Sequence, residues 1–151
     1  MARINGEQAS PLSSGLVEKP RRRLIVVVED DPTLRELVSE YLVSVGFDVA
    51  ALANGDGALE MISERRPDLL CIDVNLPSVS GFDLCEHVRG NEQLNDVAIL
   101  MTSASIFVEA RAYAFEAGAD AYLRKPFTLE ELSRQVVRLL DGPGSARRRY
   151  C

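Results

Sequence analysis

A chain of 151 residues with 46% hydrophobic side chains and a net charge of −6 can bury a sizeable core without disulfides or structural metal. Residues 1–23 carry +3 and residues 141–151 carry +2, which leaves −11 on residues 24–140, a body poorly suited to direct contact with nucleic acid. No run approaches the roughly 18 apolar residues of a membrane span, the N-terminus lacks an apolar signal core, and three cysteines without metal-ligand spacing suit a reduced, cytoplasmic setting. Residues 1–22 mix Gly, Ser, Pro and charge without periodicity and read as a disordered N-terminal extension. The aliphatic run Leu24–Val28 is the first predicted strand, and Asp31-Pro32 then opens a helix as N-cap and first-turn proline. Leu34, Leu37, Val38, Tyr41, Leu42 and Val45 follow a helical period until Gly46 stops it. Phe47–Ala51 is a second strand, Asp56–Arg65 a short helix with Leu59 and Ile62 inward, and Leu69–Ile72 a third strand. Gly81–Arg89 is a third helix, Val97–Thr102 a fourth strand and Ile106–Ala117 a fourth helix. Ala121–Arg124 is a fifth strand, and Thr128–Leu140 a fifth helix, apolar at Leu129, Leu132, Val136 and Leu139.

Five strand–helix units in succession over residues 23–140 imply a parallel sheet with helices on both faces. The right-handed crossover rule makes a doubly wound α/β sandwich the natural topology. Residues 141–151 are read as a flexible basic tail, and no second domain is expected.

In such sheets reactive groups collect beyond the carboxyl ends of the strands. The first strand ends in Glu29-Asp30-Asp31, and the third runs into Asp73, with Asn75 two residues on. Thr102 and Ser103 end the fourth strand, and Lys125-Pro126 follows the fifth. Several carboxylates in one crevice repel unless a cation joins them, so the pattern asks for a hard divalent metal and leaves one aspartate free as a nucleophile. Lys125 is the single lysine among the nine basic residues of 24–140. Its compact ammonium can reach a phosphoryl oxygen or a carboxylate where a planar guanidinium would crowd.

Four segments carry a family resemblance: Val26-Val27-Val28-Glu29-Asp30-Asp31-Pro32, Pro67 to Pro77 with Gly81-Phe82, Ala98 to Ala104, and Gly118 to Phe127. Together, in this order and on these strands, they resemble the receiver domain of two-component response regulators over about residues 23–140. The resemblance implies a flavodoxin-like five-stranded sheet of order 2-1-3-4-5. It implies that Asp73 is the phosphoacceptor, taking a phosphoryl group from a sensor histidine kinase or a histidine phosphotransfer protein. Glu29, Asp30, Asp73 and the backbone carbonyl of Asn75 would hold Mg²⁺, Asp30 directly and Glu29 either directly or through water. Lys125 would pair with Asp73 before transfer and with the phosphoryl group after it, so Asp73 and Lys125 are the catalytic pair. The family's spacing to the lysine favours Ser103 as the switch hydroxyl, with Thr102 as the alternative. Tyr122 occupies the place of an aromatic that turns inward on activation; ordinary half-buried packing is the competing reading. Lys125-Pro126 resembles the family's cis peptide.

The resemblance also implies a partner surface on the fourth helix, fifth strand and fifth helix, switched by phosphorylation. Here the chain departs from winged-helix transcription regulators, whose charged network on that face needs an acid where Ala121 stands and an arginine where Gln135 stands. Arg111 and Glu131 could still pair, and the expectation is a monomer or a weak phosphorylation-dependent dimer. With no output domain after the fifth helix, the expectation is a stand-alone receiver, a fragment of a longer regulator being the alternative. Asn75 in place of a second acid argues against a phosphohydrolase of the Asp-x-Asp type, which needs a general acid at that position. His87 reads as a surface helix residue, Cys71 and Cys85 as packing, Gly55-Asp56-Gly57 as a turn rather than a phosphate loop, and Arg147–Arg149 as a solvated run.

Overall fold

The computed structural model describes residues 21–142; the extension up to residue 20 and the tail from residue 143 lie outside the described residues. Ten elements alternate: β1 (Leu24–Val28), α1 (Pro32–Ser44), β2 (Asp48–Leu52), α2 (Ala58–Arg65), β3 (Leu69–Asp73), α3 (Gly81–Arg89), β4 (Ala98–Ser103), α4 (Val108–Ala117), β5 (Ala121–Arg124) and α5 (Leu129–Asp141). All strand pairs are parallel, and the order is β2-β1-β3-β4-β5, the flavodoxin-like arrangement expected. The strands β1, β3 and β4 are buried along their whole length, which explains their unbroken aliphatic runs.

Alternate residues of these strands feed two cores. Val26, Val28, Leu70, Ile72, Ile99 and Met101 pack with residues of α2, α3 and α4. Ile25, Val27, Leu69, Cys71, Ala98 and Leu100 pack with Val38 and Leu42 of α1 and with Leu132, Val136 and Leu139 of α5. Val28 is level with Ile72, and Asp73 with Thr102. Glu29, the next residue after Val28, therefore emerges beside Asp73.

Several boundaries and faces differ from the sequence reading. Along α1 the buried positions are Val38 and Leu42, with Leu34 partly buried, whereas Leu37 is 48% and Val45 46% exposed. Adjacent helical residues lie about 100° apart, so one stripe at 34, 38 and 42 meets the sheet and Leu37 flanks it. The helix α2 starts at Ala58 because Gly57 takes a left-handed φ of 77°. The strand β2 begins one residue later than expected and β4 ends one residue later. The helix α4 begins at Val108 rather than Ile106, and Phe107 at its cap offers no side-chain acceptor; Ile106, Phe107 and Val108 are all exposed. No helix of the described residues is long and apolar enough to cross a membrane.

Candidate functional site

The carboxyl ends of β1 and β3 bring three acids together. One carboxylate oxygen from each of Glu29, Asp30 and Asp73 lies within 4.8 Å of the others. Glu29 and Asp73 are buried, and Asp30 is exposed. Asp31 stands apart: its side chain caps α1, accepting from the Thr33 and Leu34 amides at 3.0 and 3.4 Å.

Lys125 enters from the loop after β5. Its ammonium donates to Glu29 Oε1 at 3.0 Å and to Asp73 Oδ2 at 3.1 Å. The Lys125–Pro126 peptide is cis. The remaining oxygens of the two acids are held by backbone amides. Asp31 N–H donates to Glu29 Oε2 at 3.1 Å, and Asn75 N–H to Asp73 Oδ1 at 3.2 Å. The reach of Glu29 to Lys125 was not part of the sequence reading, which assigned the lysine to Asp73 alone. The signal was present in the residue type, because glutamate has one methylene more than aspartate and reaches further into the crevice where the long Lys125 side chain ends.

Burial pushes the Glu29 carboxyl above the ordinary carboxylate range, although the bond from Lys125 opposes it. Burial also pulls the Lys125 ammonium down, but the hydrogen bond to Glu29 and the charge of Asp73 outweigh it and hold the amine above its usual value. One ammonium is shared by two buried acids, so its charge is well compensated, while burial and the neighbouring Asp73 carboxylate both disfavour the charge on Glu29. Three carboxylates against one ammonium leave two negative charges. All the donors are oxygen, the set is small, and the Asp30 edge is open to water. These are the properties of a site for a hard divalent ion that keeps several waters, as Mg²⁺ does.

The other predicted residues are placed as follows. Ser103 is completely buried at the end of β4, and its Oγ accepts the Ser105 amide at 3.0 Å. Thr102 is also buried and is the register partner of Asp73; its carbonyl accepts the Val74 amide at 2.8 Å. Tyr122 on β5 is partly buried, with its ring against the core of the α2–α4 face and its hydroxyl buried without a partner. It makes no hydrogen bond to Ser103. Sequence reasoning missed Arg35, whose NH1 donates to the Glu29 carbonyl at 2.9 Å and the Asp30 carbonyl at 3.5 Å. This fixes the main chain that presents both acids.

The suggested Arg111–Glu131 pair does not form. The Arg111 guanidinium lies over the Phe115 ring, 5.1 Å from its centroid. The Glu131 carboxylate is committed to the Thr128 amide in the capping box of α5. Local partners three or four residues away are cheaper in conformational entropy than a partner on another helix.

The match to the response regulator receiver domain runs over residues 25–137, and the chain belongs to this family: it carries the receiver domain of a two-component response regulator. It is 36% identical over 116 residues to the DNA-binding dual master transcriptional regulator RpaA of Synechocystis sp., covering 77% of this chain and 48% of that protein. It is 40% identical over 116 residues to the response regulator MprA of Mycobacterium tuberculosis, covering 77% and 50%. The chain thus spans about half the length of the curated relatives it matches. Among solved structures, chemotaxis protein CheY4 of Vibrio cholerae superposes with a TM-score of 0.75 at 31% identity, over 80% of this chain and all of that one.

Proposed function

We propose that this receiver is a phosphoacceptor switch in which Asp73 takes a phosphoryl group from a histidine kinase or a histidine phosphotransfer protein in the cytoplasm. The observation that carries the reading is the triad of Glu29, Asp30 and Asp73 within 4.8 Å, with Lys125 bridging two of the three. Asp30 and Asp73 would hold Mg²⁺, with Glu29 and the Asn75 carbonyl completing the set. When bound, the metal would neutralise the charge that develops on the transferring phosphoryl oxygens.

The protein's own groups supply the rest. The Asn75 amide fixes Asp73 Oδ1, and Lys125 holds Oδ2, so the carboxylate is oriented before a donor arrives. After transfer the ammonium can move from the carboxylate to a phosphoryl oxygen without leaving the site. Ser103 Oγ already accepts a hydrogen bond from Ser105, and its own proton remains free to donate. Donation to a phosphoryl oxygen would draw the loop after β4 toward Asp73. Tyr122 is suited to follow, because its inward ring buries a hydroxyl without a partner, at a cost of about 1–3 kcal/mol. Outward movement would return that hydroxyl to water, and the switched face in this reading is α4–β5–α5.

Partners on that face are proteins in this reading. The named relatives RpaA and MprA are regulators, the first described as DNA-binding. The acidic stretch 24–140 argues that any contact with nucleic acid would be made by something other than this domain. Incubation with Mg²⁺ and beryllofluoride or acetyl phosphate tests the function. Wild type should give an acid-stable, alkali-labile phosphoprotein, or the corresponding spectral change with beryllofluoride, and Asp73→Asn should give neither. Equal labelling of the two proteins would sink the assignment.

A further inference from the structure

The sheet ends at β2, which pairs with β1 and, among the described residues, with no strand on its other side. Asp48 N–H donates to the Arg23 carbonyl at 2.9 Å, and the Leu52 carbonyl accepts the Glu29 amide at 3.0 Å. Alternate residues of a parallel strand turn both backbone groups to the same side. Asp48, Ala50 and Leu52 therefore face β1, while Val49 and Ala51 present their N–H and C=O groups to the open edge. Edge strands are commonly closed to further pairing by a lysine, a proline or a bulge. The run Asp48-Val49-Ala50-Ala51-Leu52 has none of the three, and its register with β1 is unbroken. At the foot of the strand its one charge is already neutralised, because Arg22 Nε meets Asp48 Oδ1 at 3.2 Å.

The two residues with open backbone groups, Val49 and Ala51, also line a groove of ≈ 290 Å³ against Ser39, Glu40 and Val43 of α1. Val43 is 49% exposed. The Ser39 hydroxyl is buried without a hydrogen-bond partner, an unfavourable state that a donor entering the groove would relieve. Glu36 and Glu40, one turn apart on α1, are exposed and form no ion pair among the described residues. The helix descends toward the turn at Gly46 and β2 ascends from it, so Val43 lies at the foot of the groove and Glu40 at its upper end.

We propose that the open edge of β2 and this groove form a docking site for an extended peptide segment of a partner protein, one with an aliphatic residue and a lysine two positions apart. Strand addition takes affinity from main-chain hydrogen bonds and specificity from alternate side chains. Bonds to Val49 and Ala51 hold the backbone of the added strand. Side chains two residues apart point to the same face, so the aliphatic one covers Val43 while the lysine meets Glu40. Its ammonium can also donate to Ser39 Oγ. A second copy of this chain fits worse, because edge-to-edge pairing about a two-fold axis would set each Glu40 near its counterpart with no cation between them.

The test is an amide NMR titration of the full chain with the peptide acetyl-Thr-Lys-Thr-Ile-Thr-Lys-Thr-amide, whose two lysines suit either strand direction. The Val49 and Ala51 amide resonances should shift, and their hydrogen exchange should slow. Replacing both lysines of the peptide by glutamate should abolish binding, and Glu40→Lys, an exposed substitution outside both cores, should weaken it roughly fivefold or more. Absence of any change at Val49 and Ala51, equal binding of the glutamate peptide, or full affinity in Glu40→Lys would overturn the docking site. Two further outcomes would overturn it by naming another occupant. Protection of these amides in the chain alone, independent of concentration, would give the edge to one of the chain's own terminal segments. Protection that grows with concentration, together with a dimer in sedimentation, would give it to a second copy.

Discussion

Lys125 is held by two buried carboxylates and is the feature on which the chemistry of the site turns. Its ammonium and a divalent ion compete for the same oxygens. In Lys125→Met the competitor is gone, and two like charges are left to face each other in a buried setting. Magnesium affinity, measured by titration calorimetry, should therefore rise roughly fivefold or more. Without magnesium the variant should melt below wild type, and the metal should recover most of the difference. An unchanged affinity would mean that the ammonium does not compete. The residue types at this site were readable from the chain, because acids and a lone lysine fell at predicted strand ends. Which oxygens the Lys125 ammonium takes was not readable, since that depends on how far side chains reach once the strands are in register.

Two elements set the site's geometry by close approach and by capping. The first turn of α3 lies against the end of β3, where Gly81 N–H donates to the Val74 carbonyl at 2.9 Å. A Cβ at Gly81 would collide with the Asp73 carbonyl oxygen and come within 2.8 Å of Val74 Cα. Gly81→Ala should lose about 1–3 kcal/mol in urea denaturation and weaken magnesium binding, because Asp73 must move with its backbone. Full stability with normal affinity would show that the helix can yield without disturbing the strand. The helix α5 begins with a capping box between Thr128 and Glu131, and Thr128→Ala should lose about 1 kcal/mol. The hydrogen bonds from Thr128 hold the Glu131 carboxyl below its ordinary value of 4.5. As pH falls, the unfolded chain therefore takes up this proton before the folded one does. The contribution of Glu131 is complete above 4.5 and disappears as pH falls through the depressed folded value. Wild type and Glu131→Gln should differ in denaturation midpoint at neutral pH and converge as pH falls below the depressed folded value; a constant gap would show that the carboxylate's charge is not involved. The cap at Thr128 was legible as a threonine three residues ahead of a glutamate. Its consequence for Arg111 was not, because the sequence does not rank a local cap against a distant ion pair.

The molecule as a whole is tied at the opposite end of the sheet by Arg89. Its guanidinium donates to the carbonyls of Gly118 at 2.8 Å, Asn95 at 3.0 Å and Val97 at 2.7 Å, and to Asp120 Oδ2 at 2.8 Å. Asp120 in turn accepts the Ile99 amide at 2.9 Å. One side chain on α3 thereby joins the starts of β4 and β5, with Gly118 leaving no room for a Cβ beside it. Removing the guanidinium would strand the part-buried carbonyls of Gly118 and Val97 and leave the Asp120 carboxylate without its cation. Arg89→Ala should lower stability by about 2–4 kcal/mol in chemical denaturation, with magnesium affinity of the folded protein unchanged because the cluster lies at the other ends of the strands. A change in affinity would reveal coupling along the sheet.

The strand–helix alternation, the parallel sheet and the gathering of acids at its edge followed from the chain alone. The reason is that fully buried strands must be aliphatic throughout, and a polar residue at the end of such a run can only face the crevice. The strand order came only with the family resemblance, whose four motifs fall on β1, β3, β4 and β5 and leave β2 without one. Packing decided what periodicity leaves degenerate. Leu37 and Leu34 both fit the helical stripe of α1, yet only the narrow contact with the sheet determines that Leu37 stays half exposed. Glu29 was legible as an acid, but its bond to Lys125 depends on residues 96 positions apart being placed on neighbouring loops. Tertiary structure alone makes such long-range pairings, because local sequence carries no record of which loop ends meet.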